Sequence, residues 1–489
     1  MTLEQALALV RRLDAPGPLY LVGGFLRDLK LGRASRDIDL ATAGASDALA
    51  RKAARVLGGK PVLIDADHGL WRVMLKSGPA VHLDIARMEG GTIEKDLARR
   101  DFTMNAMAVP AVGGERWVDP FGGQKDLEAG LIRMVSVKAF TDDGLRLLRA
   151  FRFASELGLK IEPATLKAIG AKRKSIAGSA GERVQHELLR LLEGPAAADC
   201  VREMEACGLL TALMPELSRL RRCARVYYGE AGVMGHSLQV LSRLEGLLGK
   251  LPEVYPDLEP QLRAHLENRD TPAASYAALL KLTALIHDIA KPATARPIGG
   301  RLRFFGHEEL GAVMSDKLLD RLRFSRDQRR AVAQMIRFHL RPGNLAANPT
   351  VSDKAVYRFF DELREEGVGL LLVCWADYAS YLTDPQLKKV LSLLKRDPRQ
   401  TPNAQSLAPD LRKTHRHLQV VGILLHAWFR RRKTVAPPRL VDGNDVIKTV
   451  GLAPGPEIGK ILKTVREQQA EGKLSSRDEI LTYLKGLKK

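Results

Sequence analysis

A short apolar run, Leu19-Tyr20-Leu21-Val22, ends in Gly23-Gly24, passes through the helix-compatible stretch Phe25 to Leu31, and re-enters a strand-like run at Asp37-Ile38-Asp39-Leu40-Ala41. No other feature limits the fold as much. Strand, glycine turn, helix and strand in such quick succession require a compact α/β unit whose glycines let the backbone approach a ligand closely. Residues two apart in a strand point the same way, so Asp37 and Asp39 share one face while Ile38 and Leu40 turn to the core. Two adjacent carboxylates repel unless cations lie between them, which makes the pair a candidate magnesium site. Two metals bridged by such a pair activate an attacking hydroxyl and stabilise the leaving oxygen of an in-line phosphoryl displacement. Asp-x-Asp alone is more often a solvated strand end. The Gly-Gly turn strengthens it, because backbone N–H groups entering a helix suit a triphosphate, and Arg27 can add a charge-assisted contact.

Three more strand-like runs, Pro61 to Ile64, Trp71 to Leu75 and Val81 to Ile85, complete a sheet of about five strands in residues 1–139. From Asp142 onward apolar residues recur at helical spacing, through Leu145, Leu148, Phe151, Leu188, Leu189 and Leu192. The expected organisation is an α/β head (1–139), a helical neck (140–225), a histidine-bearing helical region (226–396), a linker rich in Pro, Asn, Gln and Ser (397–413) and a helical tail (414–489).

The charge balance points to a polyanionic partner. Lys+Arg total 77 against 57 Asp+Glu, a net charge of +20, which suits nucleic acid or an acidic membrane surface. The membrane reading weakens because the longest apolar run, around Gly369 to Ala376, is about half the length of a span. Cys200, Cys207, Cys223 and Cys374 form no Cys-x-x-Cys pair, so a disulfide scaffold or zinc ribbon is not expected. The first residues carry acid before base, the reverse of a signal peptide, and a cytoplasmic location is the default expectation.

Gly-Gly-x-x-Arg-Asp at 23–28 followed by Asp37-x-Asp39 resembles the tRNA nucleotidyltransferase and poly(A) polymerase family, the bacterial-type branch of the polymerase β-like nucleotidyltransferases. The resemblance implies that Asp37 and Asp39 bind catalytic Mg2+, that Gly23, Gly24 and Arg27 attend the nucleotide, and that the substrates are tRNA, CTP and ATP. Asp84 is a candidate third carboxylate. In Arg99-Arg100-Asp101-Phe102-Thr103-Met104-Asn105 the resemblance assigns Arg100, Asp101 and Asn105 to the incoming ribose and triphosphate, Asp101 accepting from a ribose 2′-OH. Asp119 to Leu127 resembles the hinge between head and neck.

Thr141-Asp142-Asp143-Gly144-Leu145-Arg146-Leu147-Leu148-Arg149 resembles the segment that selects the base without a template, assigning Asp143, Arg146 and Arg149 to the nucleotide. The family usually has Glu where this chain has Asp142. Asp143 and Arg146, one turn apart, are expected on one helix face. A carboxylate accepts from an exocyclic amino group and a guanidinium donates to ring acceptors. C and A satisfy both, whereas U and G leave polar groups unpaired. An intrahelical salt bridge would account for the pair if it stood alone. Glu182 to Leu188 resembles a bracing motif of the neck.

His236, His287-Asp288, His307, His339 and Asp377 fall in successive predicted helices, and imidazoles with carboxylates in such a series are divalent-metal ligands. The order, with His287-Asp288-Ile289-Ala290-Lys291, resembles the HD phosphohydrolases. This implies a second divalent metal site at His236, His287, Asp288 and Asp377, with His307 and His339 as further candidates, and phosphatase or phosphodiesterase activity. A degenerate fold kept for packing is the plainer alternative.

The fold expected is therefore a polymerase β-like α/β head followed by an all-α neck, an HD domain and a helical tail. Only Met88-Glu89-Gly90-Gly91-Thr92 and a short stretch beyond it separate the strand ending near Arg87 from Arg99. CCA-adding relatives usually carry a longer loop there, so both CCA addition and CC addition completed by a separate A-adding enzyme are open. Poly(A) synthesis and a purely HD-type hydrolase are the remaining alternatives.

Overall fold

The computed structural model describes residues 1–75, 81–112, 116–271, 275–394 and 407–487. They fall into two compact units, Met1–Glu187 with Glu203–Leu213, and Leu188–Arg202 with Met214–Lys489.

The first unit is built on a six-stranded sheet: β1 (Leu19–Val22), β2 (Asp37–Thr42), β3 (Gly59–Asp65), β4 (Leu70–Leu75), β5 (His82–Arg87) and β6 (Ala108–Pro110), in the order β3-β4-β5-β2-β1-β6. All five expected strands form, and β6 adds antiparallel to β1. Its three residues are too few to display alternation, which is why sequence patterning passes over it. Only β2 and β5 run parallel, with Asp39 aligned to Asp84 and Asp37 to His82. The antiparallel β4–β5 pair aligns Arg72 with Asp84. One amphipathic helix, Ser46–Leu57, covers β3 and β4 with Leu49, Ala50, Ala53 and Leu57 buried. A second cluster, including Val22, Ala41, Met88, Ile93, Leu97 and Ala108, anchors the chain around the glycine turn.

Two helices, Lys138–Asp142 and Leu145–Leu157, begin the neck and are interrupted at Asp143-Gly144. Gly144 is tightly packed at this break. A Cβ on Gly144 would lie 2.2 Å from the Ser175 carbonyl oxygen, so only glycine fits there. The neck is not wholly helical, since Leu131–Ile132 and Lys160–Ile161 pair as short parallel strands.

The second unit is a helical bundle. Tyr276–Ile286 is buried at every position but Ala277, and Glu366–Ala379 at every position but Glu366 and Asp377, so both are buried all round rather than striped. A hairpin, Arg296–Ile298 with Arg301–Arg303, is the strand content that helical patterning did not anticipate. Residues 397–406 of the expected linker lie outside the described residues. Pro409 to Lys413, also expected there, open the long helix Pro409–Arg430, which packs along Glu366–Ala379. The stretch 414–430 thus belongs with the histidine-bearing bundle rather than the tail. The tail proper comprises Gly443–Val450, Pro456–Ala470 and Arg477–Lys485 around Val446, Val465, Ile480 and Leu484. Among the described residues no helix is long and apolar enough to cross a membrane.

Candidate functional site

The β2 alternation holds: Ile38 and Leu40 are buried, while Asp37 and Asp39 project from the opposite face. Asp37 is exposed and its Oδ1 lies 3.7 Å from the His82 ring. Asp39 is enclosed. Burial raises its pKa to about 6, the neighbouring Asp84 charge adds to the rise, and Arg100 with the Gly24 and Phe25 N–H groups opposes it. Gly24 donates its N–H to Asp39 Oδ2 at 2.9 Å. The turn expected to cradle a triphosphate therefore spends this N–H on holding the carboxylate. Gly23 has φ +69°, and a Cβ there would lie 2.8 Å from Arg100 Nη1 and 3.2 Å from Asp39 Oδ2. Its positive φ is what demands glycine.

Arg27 donates to Asn105 Oδ1 at 3.0 Å and pairs with Asp28, with its guanidinium over the Phe153 ring. Arg100 donates to the Asn105 carbonyl and to Asp96, leaving its buried Nε without a partner. Asp101 departs from expectation. Its Oδ1 accepts from the Phe102 N–H (2.8 Å) and Asn105 Nδ2 (3.0 Å), and its Oδ2 accepts from Arg149 Nε and Nη2 (both 2.9 Å). Four donors fill the lone-pair sites of a buried carboxylate, so none is left for a ribose hydroxyl. Burial pushes the Asp101 pKa up, but Arg149, Asn105 and the Phe102 N–H together bring it down to about 2. Arg149 also donates to Glu187, as does Arg152, so this carboxylate of the bracing motif ties two arginines of one helix together.

Asp143 and Arg146 do not share a helix face, because the break at Asp143-Gly144 puts Asp143 in extended backbone outside the helix. Asp143 Oδ1 accepts from the Leu145 N–H at 3.1 Å, and Oδ2 is paired to Arg183 Nη2 at 2.7 Å. Arg146 instead donates to the Arg99 carbonyl at 2.8 Å. Asp143, Arg146, Arg183, Arg99 and Arg100 nevertheless line one cavity of about 820 Å3. Arg183 is the member that sequence reasoning missed, since it lies inside a motif read as structural. Arg72, which forks onto Asp84 through bonds of 2.7 and 2.6 Å, was missed as well; its signal was an arginine in mid-strand.

In the second unit the six expected residues of the histidine series converge. His236, His287 and Asp377 form one group of potential ligands, and Asp288, His307 and His339 another. His287, His307 and His339 each set Nδ1 against the carbonyl three residues earlier, at 2.8, 2.7 and 2.6 Å. That contact favours the Nδ1–H tautomer and turns an Nε2 lone pair inward. His236 Nε2 lies 3.2 Å from Asp377 Oδ1 and 3.5 Å from Asp288 Oδ2. His236 Nε2, Asp288 Oδ1 and Asp377 Oδ1 are buried without hydrogen-bond partners. Unpaired buried acceptors facing one another are costly, and this donor set suits a divalent cation. Lys291 pairs with Asp288 and with the Tyr228 hydroxyl. Tyr228 stacks on the His236 ring with centroids 4.8 Å apart.

Family models match in the same order. Residues 19–90 and 72–133 match the poly A polymerase head domain, residues 158–220 the probable RNA and SrmB-binding site of polymerase A, and residues 233–382 the HD domain. An A-adding tRNA nucleotidyltransferase of Deinococcus radiodurans is 30% identical over 476 residues, spanning 96% of this chain and 95% of the relative. A CC-adding tRNA nucleotidyltransferase of Thermus thermophilus is 31% identical over 479 residues, spanning 96% and 93%. The fold is shared with the Thermotoga maritima CCA-adding enzyme solved with tRNA, at a TM-score of 0.60, 22% identity and coverage of 98% of this chain and 94% of that one. With a polymerase-type head, a helical neck and an HD domain in one chain, and with relatives that match nearly end to end, this protein belongs to the tRNA nucleotidyltransferase family.

Proposed function

We propose that the chain adds cytidines to the tRNA 3′ end and stops at CC, with Asp37 and Asp39 as the catalytic carboxylates. The observation that carries the chemistry is the Asp37–Asp39 pair beside Arg100, in the same unit as the cavity holding Asp143 and Arg146. Mg2+ held by Asp37 and Asp39 would supply a lowered hydroxyl pKa and charge neutralisation at the triphosphate. The protein groups do the rest. Asp39 is held in place by the Gly24 N–H, Arg27 and Arg100 offer donors to phosphate oxygens, and Asn105 fixes both arginines through its side chain and carbonyl. The 3′ hydroxyl attacks the α-phosphorus and pyrophosphate leaves. Asp143 and Arg146 read the pairing edge of the base, while Asp101 and Arg149 brace the wall behind it.

The relatives differ among themselves in product, so the product reading rests on this chain's own loop. Gly90 (φ 78°) and Gly91 (φ 83°) turn it directly into helix Ile93–Leu97, and a Cβ on Gly90 would lie 2.8 Å from Lys95 Cβ. So tight a connection leaves no slack to rearrange the cavity between C and A. CC-only addition implies a separate A-adding enzyme acting next. A-only addition is the second reading, favoured by the Deinococcus relative.

Transcripts ending at the discriminator base, in C, or in CC, each supplied with labelled CTP or ATP, test this. The expected result is C onto the first two and no A onto CC. Incorporation of A onto the CC end overturns CC-only addition, and long A tracts on arbitrary RNA favour poly(A) synthesis. For the second unit, the reading is a metal-dependent phosphatase or phosphodiesterase with His236, His287, Asp288 and Asp377 as ligands, joined by His307 and His339. Asp37→Ala is expected to abolish incorporation and spare that hydrolysis. The proposed tRNA substrate supports a cytoplasmic location.

A further inference from the structure

Asp84 faces the catalytic carboxylates yet is claimed by another partner. Three neighbouring strands carry, in register, Asp39 on β2, Asp84 on β5 and Arg72 on β4. Aligned residues of paired strands point to the same face, so the three side chains stand in a row. The Asp84 charge is felt at Asp39, and those of Asp37 and Asp39 are felt at Arg72. Arg72 grips Asp84 with both arms of its guanidinium, Nε to Oδ1 at 2.7 Å and Nη2 to Oδ2 at 2.6 Å. Asp84 is mostly enclosed (14% exposed), and among the described residues Arg72 is the charged side chain that pairs with it. A bidentate fork both neutralises a carboxylate and fixes the plane in which its remaining lone pairs lie.

Resting on the reading that Asp37 and Asp39 hold divalent metal, we propose that Arg72 is a positioning residue that keeps Asp84 out of the metal's ligand set. Three ungripped carboxylates on one sheet face would form a more anionic site. A hard divalent cation binds more tightly as its carboxylate count rises. With Arg72 present, the head keeps a two-carboxylate site from which Asp84, its charge offset by Arg72, is withheld.

The test is Mn2+ binding to the full-length protein, followed by electron paramagnetic resonance. The head's share is the part lost on Asp39→Asn, which separates it from the histidine cluster. Arg72→Gln, with Arg72→Met as a second variant of similar bulk, is expected to tighten that share by about tenfold, because one more carboxylate joins the ion. In an Asp84→Asn background the same Arg72 changes are expected to have no effect. Unchanged binding in both Arg72 variants overturns the assignment of Arg72. So does tightening that persists without Asp84, which would reflect the lost positive charge alone. If Asp39→Asn removes no Mn2+, the metal reading of the head fails first and the proposal falls with it.

Discussion

Replacing Asp143 by Asn should change which base the protein accepts, and the geometry says why. One carboxylate oxygen is committed, since Oδ1 accepts the Leu145 N–H at 3.1 Å. In the variant that position must be filled by the amide oxygen, because an NH2 group there would face another donor. The amide nitrogen is then forced to the site of Oδ2, where Arg183 now approaches at 2.7 Å. Donor meets donor, so Arg183 is released and an N–H points into the cavity where an acceptor stood. The amino group of C loses a charge-assisted hydrogen bond worth about 1.5–3 kcal/mol, so kcat/KM for CTP should fall about 10- to 150-fold. U, which presents a carbonyl at that edge, gains a partner, and the CTP/UTP preference should shrink by more than the loss in CTP use alone. Single-nucleotide addition to a discriminator-ended transcript, run separately with each of the four triphosphates, measures this. An equal fall for CTP and UTP would refute the assignment of Asp143 to base reading and leave it as a cap for helix Leu145–Leu157.

Other consequences follow from the same geometry. Asp39 titrates near 6 when no metal is bound, and a protonated carboxylate does not ligate; apparent Mg2+ half-saturation should therefore rise as pH falls below about 6 and level off above it, which initial rates against Mg2+ concentration will show. Gly23→Ala puts a Cβ at a positive φ, costing about 1–2 kcal/mol, and displaces the Arg100 guanidinium from beside Asp39. Incorporation should drop at least about tenfold while the far-UV spectrum is kept. His287→Ala should remove divalent metal retained by the second unit, read by elemental analysis after dialysis, without changing CTP incorporation. Arg183→Ala should alter CTP kcat/KM by less than about fivefold, since a half-exposed pair contributes little and the base displaces it.

Much of the fold was legible in the chain because its signals are local. β1, β2 and the glycine turn follow from alternation and from two adjacent glycines, and the helical run after Asp142 follows from spacing. The sixth strand was hidden by its length. The helix break at Asp143 was hidden because the apolar spacing runs on through it, and the tight packing of Gly144 against the Ser175 carbonyl involves a residue far along the chain. The linker expected up to Lys413 ended sooner, since Pro409 is well suited to a first helical turn and Leu411 finds a buried place.

What the sequence by itself determined is the chemistry on offer: two aspartates on one strand face, a glycine turn ahead of them, an arginine- and aspartate-rich neck, and four histidines with two aspartates in series. Apart from the histidine series, which is spread over residues 236–377, these depend on residues within a turn or a strand of each other, where backbone geometry dictates direction. Which charge meets which was decided by tertiary structure alone. Asp143 pairs with Arg183 rather than Arg146, Asp101 is spent on Arg149, Asp84 is held by Arg72, and the histidines turn their Nε2 atoms toward two shared aspartates. The reason is physical: a charged side chain takes the partner that packing and strand register bring within about 3 Å, and sequence distance carries little information about that choice.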